Sequence, residues 1–68
     1  MIRRRREIIP GQRYRKLGFG AMLWEVVGLS EDALGNTHVR LRQVGDPRTL
    51  KTLAASVLDD PSQFQLVA

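Results

Sequence analysis

The chain has no cysteine, one histidine, one tryptophan, one tyrosine and two phenylalanines in 68 residues. Without cysteine, disulfides and thiolate-bound zinc are excluded. One histidine among scattered carboxylates leaves no all-protein metal cage. No stretch approaches the ~20 apolar residues of a membrane span. The leading arginines are followed by Glu7, two isoleucines and Pro10, too little apolar sequence for a signal-peptide core. These absences point to a cytoplasmic protein with no metal, no cofactor and no membrane. Stability must come from apolar packing in a single domain, since a chain this short buries only about 60% of its unfolded surface. A hydrophobic fraction of 43% is enough for a small core.

Charge is present but unevenly placed. The net value of +4 combines a front end, residues 1–16, with seven cations against Glu7 alone, and a remainder with four cations against six acids. Arg3, Arg4, Arg5 and Arg6 repel one another and carry no periodic apolar pattern, so residues 1–9 read as a flexible basic tail. Ile8 and Ile9 are placed to pack against the domain. Pro10-Gly11 reads as the turn that opens a folded region over residues 10–68.

That region alternates. From Gln12 to Leu17, Arg13 and Arg15 fall on one side and Tyr14 on the other, the period of a half-buried strand. Gly18-Phe19-Gly20 interrupts as a loop. From Met22 to Leu29, Met22, Trp24 and Val26 share one face, and Leu23, Glu25, Val27 and Leu29 the other. Trp24 suits a core because it removes much area from water and its indole N–H needs one partner. Residues 30–36 are polar and end in Gly35-Asn36, a connecting loop. From Thr37 to Val44, Val39 and Leu41 face inward, and His38, Arg40 and Arg42 outward. Gly45-Asp46-Pro47 reads as a turn, with the fixed φ of Pro47 suiting its first central position.

Residues 48–60 support two readings. Leu50, Leu53, Ala54, Val57 and Leu58 match a helical face, with Asp46-Pro47 as its start and Pro61 as its stop. That gives an α+β alternative with a helix at 47–59. Against it, Thr49 and Thr52 flank Leu50 in a strand-like run. Phe64 and Leu66 share one face of a short last strand.

Gly11 with Tyr14, Trp24, His38-Val39 with Leu41, and Leu58 to Pro61 together resemble the pattern of a group of small uncharacterised bacterial proteins with an SH3-like barrel. The resemblance spans residues 10–67. It implies a mostly β, five-stranded barrel with a strand over Thr49–Leu53 and one short 3₁₀ turn over Ala54–Leu58. Gly11, Arg13, Arg15 and Lys16 also resemble the first strand of the type II dihydrofolate reductases, which are SH3-like too. Their Val-Gln-Ile-Tyr ligand segment has no counterpart in Leu50-Lys51-Thr52-Leu53, so that oligomeric enzyme stays a remote alternative.

Function is read from surfaces. Neither a nucleophile–base pair nor an acid–base pair is present: Asp59 and Asp60 diverge, and His38 stands alone as a surface histidine. Gly18-Phe19-Gly20 lacks the third glycine and following helix of a phosphate-binding fingerprint. The expectation is a non-enzymatic binding module. Its foremost partner is a protein, a second copy included, met through Phe19 and the apolar strip of Leu23, Val27 and Leu29, since such strips mark interfaces. The alternative is nucleic acid, met through Arg3, Arg4, Arg5, Arg6, Arg13, Arg15, Lys16, Arg40 and Arg42. Pairing of Glu25 with one or two of these arginines competes with that use. Tyr14 and Trp24 are core rather than stacking platforms.

Overall fold

A computed structural model describes residues 7–18 and 20–68. Arg3, Arg4, Arg5, Arg6 and Phe19, singled out above, lie outside the described residues. Five antiparallel strands form one sheet: β1 (Arg13–Lys16), β2 (Leu23–Glu31), β3 (Thr37–Gln43), β4 (Asp46–Ala54) and β5 (Phe64–Leu66), with one helical turn, α1 (Ala55–Leu58), between the last two. The strand order is β4-β3-β2-β1-β5, so every neighbour but β5 is joined by a hairpin connection. β4 and β5 are the two edges, and the sheet is not closed between them.

The alternating residues sort as the period of two requires. Tyr14, Trp24, Val26, Val39, Leu41 and Phe64 are buried on one face together with Leu58 of α1. Leu53 from β4 and Leu66 from β5 pack on this same cluster, although their strands lie at opposite edges. One layer can serve its own core this way only if its edges curl toward each other. α1 adds the fully buried Leu58 to the cluster. Ile8 also packs on the cluster, and Gln12 ties the preceding backbone down by accepting from the Ile9 N–H at 2.9 Å and donating to the Glu7 carbonyl at 3.3 Å.

The helix at 47–59 does not form. Leu53 opposes Val39 and Leu50 opposes Arg42 in a β3–β4 ladder, and the non-local pairing outweighs the helical spacing because β-branched Thr49 and Thr52 suit a pleated surface. The turn that follows is α rather than 3₁₀, since the Asp59 N–H donates four residues back to the Ala55 carbonyl at 2.9 Å. The β3–β4 turn is also displaced. Gln43 opposes Asp46, so Val44-Gly45 makes it, with Gly45 at φ +98°, a left-handed value that glycine adopts without steric cost. Pro47 instead lies at the start of edge strand β4, where its missing N–H removes no ladder bond.

Beside the break in the β3–β4 ladder between Arg42 and Gln43, a second departure from regular pairing lies within β2. Directly opposed residues of an antiparallel pair project from one face. Val26 opposes Leu41 and Leu29 opposes Val39, with Gly28 opposite Arg40 and the register slipping between Val26 and Gly28. Val27 is therefore the extra residue of a β-bulge. Beyond it, odd and even positions exchange faces.

Candidate functional site

The outer face of the sheet is built by β1, β2 and β3. Arg13 opposes Glu25, and Glu25 opposes Arg42, so these three form a row across the strands. Arg15 stands opposite Leu23 on one side and Gln65 on the other. Arg40 stands between Gly28 and Thr52. The strand alternation thus gathers four guanidiniums, from Arg13, Arg15, Arg40 and Arg42, around one carboxylate. Glu25 lies 3.8 Å from Arg13 and 3.9 Å from Arg42, and all three side chains keep contact with water. Among the described residues, neither Arg15 nor Arg40 reaches a carboxylate within ion-pair distance. Exposed pairs at such lengths contribute about 0–1 kcal/mol, so the Glu25 bridges order the two guanidiniums without consuming them. Three positive charges remain in excess on the patch.

Beside Arg40 the bulge opens a shallow cleft of about 360 Å³, lined by Val27, Gly28, Leu29, Ser30 and Arg40. Gly28 presents bare backbone there, with open space where a side chain would stand. The cleft was not foreseen from the sequence. Its one available signal was a glycine inside a strand pattern, which marks a bulge or a close approach of another group.

Two expectations about these residues are corrected. Lys16 does not belong to the basic outer face. It opposes Phe64 on the core side, two positions from Tyr14, with its ammonium 5.4 Å from the centre of the Phe64 ring. Nor do Leu23, Val27 and Leu29 form one strip: Leu23 is outward and half-buried, Val27 walls the bulge cleft, and Leu29 is turned onto the core side, where it is 45% exposed beyond the end of the core. Lys51, whose position over a ring no local pattern signals, resembles Lys16. Its ammonium lies 4.7 Å from the Trp24 ring centre, a cation–π contact. An inward lysine together with Pro47 also discourages another strand from adding to the β4 edge.

The β2–β3 hairpin end carries the most perturbed carboxyl. Asp32 receives the backbone N–H groups of Leu34 and Asn36, both at 2.9 Å, and the Asn36 amide, and one of its oxygens lies 3.0 Å from His38 Nε2. The His38 contact first and the backbone donors next hold it at about 2, below its usual 3.8. This constellation closes a loop of five residues and is structural. His38 is thus half-buried and partnered rather than alone. Among the described residues, no group of three or more metal-ligating side chains gathers, and no helix is long and apolar enough to cross a membrane.

No known family model matches the chain, and neither the curated proteins nor the solved structures yield a match.

Proposed function

We propose that this chain is a small non-enzymatic binding module of the SH3-like type, and that its outer face across β1, β2 and β3 takes the phosphate backbone of a single-stranded nucleic acid. The barrel reading is supported by the strand order, by α1 ahead of the last strand, and by edges that share one core. The observation that carries the binding reading is the gathering of Arg13, Arg15, Arg40 and Arg42 around Glu25 alone. Guanidiniums bind phosphate oxygens through paired N–H donors. Neutralising phosphates releases condensed counterions, which gives affinity independent of sequence and weakened by salt. Arg13 and Arg42 exchange the long Glu25 contacts for shorter ones to phosphate. Arg3 to Arg6 add charge at the same end of the sequence.

Fluorescence anisotropy of a labelled oligouridylate at low and physiological salt tests this. Binding should weaken by more than tenfold between the two if several cations take part. Arg15→Gln with Arg40→Gln should lower affinity and flatten the salt slope by about 1.4, roughly 0.7 per cation for a single strand, whereas Glu25→Gln should tighten binding. Absence of binding at low salt, or binding indifferent to salt, overturns the reading.

Partnership with a protein, or with a second copy of the chain, keeps one supporting observation: Leu50, beside Arg42 on the outer face, is 58% exposed. Sedimentation at high concentration, for the unaltered chain and for Leu50→Glu, distinguishes it. A dimer lost on substitution supports self-association, and a monomer at every concentration removes it.

A further inference from the structure

Gly28 has no conformational reason to be glycine. Its φ lies outside the left-handed region that marks Gly11, Gly18, Gly20, Gly35 and Gly45, and an added Cβ would meet nothing within 4 Å. A strand-interior glycine also costs conformational entropy relative to a residue with a side chain. What its bare backbone does create is the floor of the bulge cleft, with Val27 as one wall, Arg40 directly opposite and Ser30 beside it. At about 360 Å³ the space falls at the small end of ligand pockets, about 300–1,000 Å³. It opens on the same face as Arg13, Arg15 and Arg42.

We infer that this cleft seats one base of a bound single strand, laid flat on the backbone at Gly28 beside Val27 with its outer face covered by the Arg40 guanidinium, while the neighbouring arginines hold the flanking phosphates. The inference rests on the nucleic-acid reading above and deepens it. A planar base suits the floor because any side chain at position 28 would hold it off the backbone. Guanidinium planes stack on bases, and the stacking tolerates every base because each has a π-face. Ser30 offers a hydroxyl that can donate or accept at the base edge. The bulge is then the device that opens the sheet surface for a ring, at the point where Arg40 is free of a carboxylate.

The test compares two labelled probes with equal numbers of phosphates, an oligouridylate and an oligomer with abasic sugars, on the full chain and on Gly28→Val. The full chain should prefer the base-bearing probe by about tenfold. Gly28→Val fills the floor, removes no charge and favours strand, so it should fold as well as the parent by circular dichroism. It should lose that preference, bind the abasic probe unchanged and keep the same salt slope. Gly28→Ala, which adds one carbon, should show a smaller loss in the same direction. A parent that binds both probes equally, or variants that keep the preference, overturns the base seat while leaving the basic face standing. A parent that binds neither probe overturns both.

Discussion

The two halves of β2, Leu23–Val26 and Gly28–Glu31, belong to one strand but obey opposite rules. Before Val27, even positions enter the core, and Trp24 and Val26 are buried. After it, an odd position, Leu29, turns to that side opposite Val39, and the even position 28 faces outward opposite Arg40. One residue that the partner strand does not match separates the two. The side on which a side chain lies is thus a property of the pairing, not of the count along the chain.

Deletions break this comparison most severely. Removing Glu25 from the regular half would send Trp24 and Val26 to opposite faces, and the chain should not fold. Removing Val27 joins Val26 to Gly28 in uninterrupted alternation and leaves Leu29 facing Val39, so that variant should fold while losing the cleft. Circular dichroism and heteronuclear NMR spectra of both decide. Two unfolded deletions would show that the bulge is needed for the curl, and two folded ones would refute the register.

Alanine substitutions sharpen the contrast at lower cost. Trp24→Ala should destabilise by about 3–5 kcal/mol, much of the total of a domain this small. Leu29→Ala, at a site nearly half in water, should cost less than about 1 kcal/mol. Urea unfolding measures both, and equal losses would place Leu29 in the core after all.

The smallest effect belongs to the hairpin end beyond the bulge. Asp32 is held below its ordinary range when folded, so its contribution is present above about 3.8 and fades as pH falls toward about 2. Melting temperature should fall with acid over that window. Asp32→Asn, which keeps a carbonyl acceptor for the Leu34 and Asn36 N–H groups, should soften the fall. Parallel melting curves against pH for the two proteins would remove Asp32 from the explanation.

Much of the candidate site was legible in the residues. Arg13 and Arg15, and Arg40 and Arg42, are spaced by two with apolar residues between, which places each pair on the face opposite Tyr14 and Leu41. Glu25 could be set between them from the same period. Lys16 obeys that same period, being two positions from Tyr14, and grouping it with its basic neighbours by composition assigned it to the wrong face. Leu50 to Leu58 satisfied a helical template as fully as a strand, because five spaced apolar residues fit either until a partner strand is known.

Local chemistry determined where the first three strands and the last one lie, that Trp24 and Tyr14 are interior, and that cysteine chemistry is absent, because alternation and side-chain type act over a few residues. Pairing between strands decided the rest: that β4 (Asp46–Ala54) is a strand and not a helix, the reversal at Val27, the lysines over Phe64 and Trp24, and the cleft at Gly28. A bulge exists only relative to the strand it is mismatched with, and no window along one strand contains that information.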